Sequence, residues 1–123
     1  MAEEAQKNIF GKPIEQSSPE NKGGFYRDGF CRTGAGDSGM HVVASTVTQE
    51  FLDYTKSRGN DLSTPRPEYD FAGLKPGDHW CLCAARWAEA EKAGVAPPVY
   101  LNSTHEKALT IIPLETLKKH QVQ

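Results

Sequence analysis

The most restrictive feature of the sequence is an abrupt change in composition within the segment Gly59–Gly94, which holds both tryptophans and two of the three cysteines. From 59 to 78, glycine, proline, asparagine and aspartate recur every few residues, and such residues interrupt helices and long strands. From 79 to 92 they are absent. The pattern predicts a long ordered Gly/Pro-rich loop, held to the core by Phe71 and Leu74, followed by a helix.

The predicted helix runs from His79 to Lys92, with Asp78 as its N-cap and Gly94 at its C-terminal end. At 100° per residue, one face of this helix is apolar. That face carries Trp80, Cys83, Ala84, Trp87 and Ala88. The two indole rings are therefore expected to point towards the core.

The same geometry governs how the pair Cys81 and Cys83 is interpreted. Two positions apart on a helix are about 200° apart, so the two thiols would diverge and could not share a metal ion. On a strand, the same two side chains lie on one face. The pair is a candidate for metal or redox chemistry only if residues 80–83 are extended.

Size, charge and cysteine content favour a small cytoplasmic protein. The chain has 123 residues and a formal net charge of −2, from 14 basic and 16 acidic side chains that are interspersed, which disfavours nucleic acid and membranes as partners. No apolar run approaches the ~20 residues of a membrane span, and the N-terminus does not resemble a signal peptide. Without a secretion signal, the three cysteines are expected to be free thiols. Residues 1–7 are predicted to be a disordered tail, and residues 8–123 one compact domain.

The remaining segments predict an α+β fold with a small mixed or antiparallel sheet, because strands and helices alternate without a regular βαβ repeat. We expect four or five short strands and three or four helices. The strands are predicted at 8–14, as a short edge strand with a bend around Gly11, at a hairpin around Asp28-Gly29, and at 40–47, 98–101 and 109–112. The further helices are predicted at 49–57, capped by Thr48; after a capping box of Ser103 and Glu106; and from Pro113 to about His120.

Five motifs occur in the chain in a defined order: FYRDG at 25–29, DxGxH at 37–41, GNDLSTP at 59–65, GLKPGD at 73–78 and WCLCAARW at 80–87. With these motifs the chain resembles an uncharacterised bacterial family, domain of unknown function number 2237, from about Asn8 to His120. The resemblance implies a small, cytosolic, single-domain protein without an assigned activity. In that family, further cysteines often stand where this chain has Gln16, Phe30 and Ala44, which argues against a metal or redox role that requires them.

A polar pocket beside the Trp80/Trp87 helix is the favoured candidate site. Its members lie on predicted turns near aromatic residues, and arginine side chains suit the recognition of carboxylate or phosphate. The candidates are Arg27, Arg32, Asp61, Arg66, Asp78 and, through its helix start, His105. We therefore expect a binding or accessory domain for a small anionic ligand. Salt bridges that hold the loop in place are the structural alternative for the same residues.

A small metal- or thiol-dependent enzyme centred on Cys81 and Cys83 is the alternative function. In this hypothesis Cys81 is the candidate nucleophile, assisted by His79 at a helix start. Zinc is the alternative cofactor, since it prefers thiolate and imidazole ligands; otherwise no cofactor is expected. The candidate ligands are Cys31, His41, His79, Cys81 and Cys83. None of them has the spacing of a known zinc framework, and the sequence does not decide whether the protein is an enzyme.

Overall fold

The computed structural model describes residues 6–15, 31, 40–69 and 73–122. Several sequence-based predictions lie outside these residues. They concern the tail at 1–5, the hairpin at 28–29, Phe71 in the Gly/Pro-rich loop, and the candidates Arg27 and Arg32. The continuous ordered loop at 59–78 also stays a prediction, because residues 70–72 are outside the described part of the chain.

The fold is α+β and is organised around a two-stranded antiparallel sheet. Strand β1 spans His41–Thr46 and strand β2 spans His79–Cys83. Thr46 pairs with His79 and Ala44 with Cys81, and the register shifts between His41 and Val43. The predicted class is therefore confirmed, but the described residues form two strands where we expected four or five.

The second edge of β1 is bonded to the segment 98–105. The amide of Tyr100 donates to the carbonyl of Ala44 at 2.8 Å, and the amide of His105 donates to the carbonyl of Val42 at 3.0 Å. The central four residues of β1 are buried, as the apolar, β-branched run predicts. This strand is consequently the centre of the described fold.

Helix α1 spans Gln49–Ser57 and matches its prediction at both ends. The hydroxyl of Thr48 accepts a hydrogen bond from the amide of Phe51 at 3.1 Å, which satisfies a free N–H group of the first turn. Gly59 follows the helix with a φ of 94°, the left-handed conformation that glycine adopts without steric cost. Phe51, Leu52 and Thr55 are buried, as expected.

The helix predicted from His79 to Lys92 is wrong in its first five residues. Residues 79–83 form β2, and helix α2 begins after them, spanning Ala84–Lys92. The reason is tertiary: pairing with β1 satisfies the backbone of 79–83, and this outweighs their local helical pattern. Cys83 therefore takes the N-cap position, and its side chain makes no capping hydrogen bond.

The two tryptophans consequently lie on different elements, which corrects the idea of a single Trp80/Trp87 helix. Trp87, on α2, is fully buried and donates its indole N–H to the carbonyl of Pro97 at 3.2 Å. Trp80, on β2, is half-buried and packs against the same apolar core. Both rings contribute to one core, as expected, but from two elements.

The C-terminal third contains three short helices, and the predictions of a helix from Pro113 and of a short helix after Ser103 are confirmed, whereas the strands predicted at the described residues 98–101 and 109–112 are not formed. Leu101–Ser103 and Glu106–Thr110 are 3₁₀ helices, and helix α3 spans Leu114–Lys119 with Pro113 as its N-cap. The capping box of Ser103 and Glu106 is not formed, because His105 caps the second 3₁₀ helix instead. Of the predicted strand at 98–101, Val99 alone makes bridges, to Ser45 and Gln121.

The predicted strand at 8–14 is a tight turn. Lys7 bridges to Pro13, and the chain reverses between these two residues. Asn8 bridges to His105. Gln6 and Lys7, which belong to the predicted tail, already accept hydrogen bonds through their backbone carbonyls. None of the helices in the described ranges is long and apolar enough to cross a membrane.

Candidate functional site: the sulfur face of the sheet

Cys31 and Cys81 form a disulfide bond across a sequence separation of 50, with their Cα atoms 5.4 Å apart. The expectation of three free thiols is therefore wrong for these two residues. Both are buried, with exposed fractions of 0% and 1%. Because β2 is extended and paired with β1, Cys81 is held in the interior against Ala44, where Cys31 can reach it.

The condition that made Cys81 and Cys83 a redox candidate, an extended backbone at 80–83, is met. Side chains alternate along a strand, so His79, Cys81 and Cys83 share one face of β2. The positions on β1 that face His79 and Cys81 are Thr46 and Ala44. We call these five residues the sulfur face. Cys83 is the free cysteine of the chain, and it is partly exposed.

Tyr100 forms a wall beside the disulfide. Together with Ile14, it packs against the cluster of Cys31, Ala44 and Cys81. Its ring stacks on the imidazole of His79, with 5.0 Å between the ring centroids. Its hydroxyl lies 2.7 Å from Oγ1 of Thr46 and 3.4 Å from Nε2 of His79. The disulfide is thus bordered by a hydrogen-bonded polar group as well as by apolar atoms.

The sheet is irregular at the end that carries Cys83. Cys83 pairs with His41 beyond the register shift, and it is the last residue of β2. Next to it, the amides of Val42 and Ala84 both donate to the carbonyl of Met40. Met40 has a φ of 48°, which is unusual for a residue other than glycine. The backbone around Cys83 is therefore less regularly paired than that around Cys81.

Asp61 organises its own turn. Its Oδ1 atom accepts hydrogen bonds from the amides of Ser63 and Thr64, and its Oδ2 atom accepts from the Thr64 hydroxyl at 2.6 Å. The hydroxyl of Thr64 is the main cause that lowers the pKa of Asp61, and the two amides act in the same direction. Desolvation of the carboxylate opposes these effects and raises the pKa. Lys56 adds the smallest effect, which lowers it. This carboxylate is engaged locally.

Asp78 and His105 also bond within their own turns. Oδ2 of Asp78 accepts from the amide of Lys75 at 2.9 Å, and Nδ1 of His105 accepts from the amide of Lys107 at 3.0 Å. His105 is buried, and this burial lowers its pKa; Glu106 opposes the shift and Lys107 adds to it. One acceptor atom of each residue, Oδ2 of Asp78 and Nδ1 of His105, is therefore already used within its own turn.

The other candidates are dispersed or outside the described residues. Arg66 is exposed, and Arg27 and Arg32 are not described. His41 lies on β1 opposite Cys83. In the described ranges, no three histidine, cysteine, aspartate or glutamate side chains are grouped so that they could hold a metal ion.

The sequence offered no signal for Tyr100 and Thr46. They are 54 residues apart in the chain, and although both lie in predicted strands, nothing in the sequence indicates that these strands are neighbours. Cys31 was named among the candidates, but nothing indicated that it pairs with Cys81. The one sequence-based indication of this face is the prediction that Cys81 and Cys83 are a metal or redox candidate if residues 80–83 are extended.

Residues 7–121 match a family described as an uncharacterized protein conserved in bacteria, DUF2237. The chain has no match among curated proteins.

Proposed function

The chain belongs to this family of uncharacterized proteins conserved in bacteria, and from its sulfur face we propose that it is a thiol–disulfide redox module. In this proposal Cys31 and Cys81 cycle between a disulfide and two thiols. The observation that carries the proposal is the disulfide itself, which is accompanied by a free third cysteine on the same strand face.

The expected compartment supports a reversible role. The sequence favours a cytoplasmic protein, and disulfides in that compartment are usually transient, catalytic or redox-sensing. A structural disulfide mostly occurs in secreted domains too small to build a core. Among the described residues, an apolar core of sixteen buried side chains, Trp87 among them, forms a cluster separate from that of the disulfide. The disulfide is therefore available for chemistry.

The reaction is a two-electron exchange with low-molecular-weight thiols. Two thiol molecules, RSH, deliver two electrons and two protons to the Cys31–Cys81 bond. The products are the two cysteine thiols and one RSSR molecule. Each step is an attack by a thiolate on a sulfur atom through a mixed disulfide. No metal or bound cofactor takes part in this exchange.

Equilibration in glutathione redox buffers tests the proposal. The fraction of Cys31–Cys81 disulfide is measured by alkylation and mass spectrometry at a series of potentials, with Cys31→Ser as a control that lacks the bond. We expect a midpoint within about −180 to −300 mV, where cellular glutathione and thiol enzymes operate. A pair that stays oxidised below about −300 mV would be a structural disulfide and would refute the proposal.

Binding of a small anion at Arg27, Arg32 and Arg66 is the function that the sequence favours, and it remains a separate proposal. Exposed Arg66 is the member on which it can be tested in the described part of the chain. Small anions should raise the melting temperature of the wild type but not that of Arg66→Ala. Equal shifts in both proteins would count against this function.

A further inference from the structure

The disulfide poses a problem of access. A thiolate must reach one of the two sulfur atoms to open the bond, yet Cys31 and Cys81 have exposed fractions of only 0% and 1%. Tyr100 and Ile14 pack against the same cluster. A bulky thiol such as glutathione therefore cannot approach the bond directly while the fold is closed.

Cys83 has the exposure that the disulfide lacks. It is partly exposed and lies two residues after Cys81 on the same strand face, at a Cα separation of about 7 Å along an extended chain. It is the N-cap of α2, and its side chain makes no capping hydrogen bond, so its sulfur atom holds no helix end in place. It also occupies the irregular end of the sheet, after the register shift.

We propose that Cys83 is a relay thiol. It displaces Cys81 as the disulfide partner of Cys31, and the buried disulfide so moves to a position that external thiols can reach. This inference rests on the proposed redox function and specifies how that site is reached. A Cys31–Cys83 bond is the expected product. A Cys81–Cys83 bond would have to close over two residues of one strand, at the upper limit of the Cα separation that a disulfide spans.

The exchange balances without any outside oxidant. The Cys83 thiolate attacks Sγ of Cys31, the Cys31–Cys81 bond breaks, and Cys81 leaves as a thiolate that takes up the proton lost by Cys83. Glutathione then attacks Sγ of Cys83, which forms a mixed disulfide there and releases the thiol of Cys31. A second glutathione frees Cys83 and yields glutathione disulfide.

Two rate measurements test the relay. The wild type, Cys83→Ala and Cys83→Ser are reduced by glutathione under pseudo-first-order conditions, with circular dichroism to verify that the variants are folded. We expect both substitutions to slow reduction by glutathione at least tenfold. A small phosphine does not need the relay, so its rate should change less than twofold.

Trapping identifies the intermediates. Acid quenching of the wild type during reduction, followed by alkylation and peptide mapping, should show Cys31 linked to Cys83 and glutathione on Cys83. In Cys81→Ser, mild oxidation should form the Cys31–Cys83 bond directly. If neither bond is found and Cys83→Ala is reduced as fast as the wild type, the relay is refuted.

The two proposals fail separately. A Cys31–Cys81 pair with a midpoint in the glutathione range but with no dependence on Cys83 refutes the relay alone. A midpoint below that range refutes the redox function. In that case, reduction with excess dithiothreitol, followed by the same quenching and peptide mapping, would still show whether Cys31 changes its disulfide partner.

Discussion

The hydroxyl of Tyr100 lies 2.7 Å from Oγ1 of Thr46, so the ring that packs against the disulfide cluster is anchored to the sheet. Tyr100→Ala removes this cover, and we expect reduction of Cys31–Cys81 by a small phosphine to become at least fivefold faster. Tyr100→Phe keeps the ring and loses only the hydrogen bond, so its rate should remain near that of the wild type. Equal rates in all three proteins would show that Tyr100 does not limit access.

Asn8 uses both ends of its amide in the N-terminal turn. Its Oδ1 atom accepts from the amides of Phe10 and Lys12, and its Nδ2 atom donates to the carbonyl of Asn102 at 3.0 Å. Asn8→Asp keeps the acceptor but sets a carboxylate oxygen against that carbonyl. We expect a loss of about 1–3 kcal/mol in the free energy of unfolding at pH 7, measured with urea.

The pH dependence of Asn8→Asp provides an internal control. A protonated carboxyl group can donate to the carbonyl of Asn102, so the folded chain binds this proton at a higher pH than the unfolded chain does. The deficit should therefore shrink as the pH falls from 7 towards about 4 and level off below that. Lys12→Gln, a change at an exposed side chain, should alter stability by less than about 0.5 kcal/mol. A deficit of the same size at every pH would contradict the assigned role of Nδ2.

Gly73 and Gly59 both have positive φ, at 84° and 94°, but their surroundings differ. A Cβ atom at Gly73 would overlap the carbonyl oxygen of Ser63, whereas one at Gly59 would meet open space. We expect Gly59→Ala to cost about 1 kcal/mol from backbone strain alone, and Gly73→Ala about 3 kcal/mol. Urea unfolding of the two variants measures the difference, and equal losses would contradict it.

Burial lowers the pKa of His105, and this makes stability depend on pH. The unfolded chain binds a proton at about pH 6.5, but the folded chain binds it only at lower pH. The unfolded state therefore holds more protons in this window, and stability falls as the pH decreases from about 6.5, by at most ~1.4 kcal/mol per pH unit. The loss levels off below the folded pKa.

His105→Asn isolates this effect. Its Oδ1 atom can take the place of Nδ1 in the hydrogen bond from the amide of Lys107, so the cap of the 3₁₀ helix is retained without a titrating ring. As the pH falls from 7 to 5, the free energy of unfolding of the wild type should decrease relative to that of His105→Asn. A constant difference would show that His105 does not titrate differently in the folded state.

What could be predicted from the sequence was local. Helix α1 was placed correctly because its N-cap Thr48, its terminating Gly59 and its buried stripe all lie within a dozen residues. Strand β2 was assigned to a helix because its backbone partners are in β1, more than thirty residues earlier. Local pattern carries no information about such a partner.

The candidate site shows the same limit. Cys31 and Cys81 are brought together by the fold, and their positions in the sequence are compatible with free thiols as well as with a bond. The His105 cap was assigned to Ser103, because a histidine ring nitrogen is a rarer cap than a serine hydroxyl. The carboxylate of Asp61 is bonded within its own turn, and its place in an anion pocket stays a prediction.

The Cys31–Cys81 bond closes a loop with a sequence separation of 50, which restricts the unfolded chain by about 4 kcal/mol in the chain-entropy account of disulfides. Domains of this kind are stable by only about 5–15 kcal/mol in total. In that account, opening the bond multiplies the fraction of unfolded molecules by about a thousand, and proteases that cleave open chains act on that fraction. Under the proposed redox cycle, the lifetime of the protein in a cell would therefore depend on the thiol balance around it, with the oxidised form persisting longer.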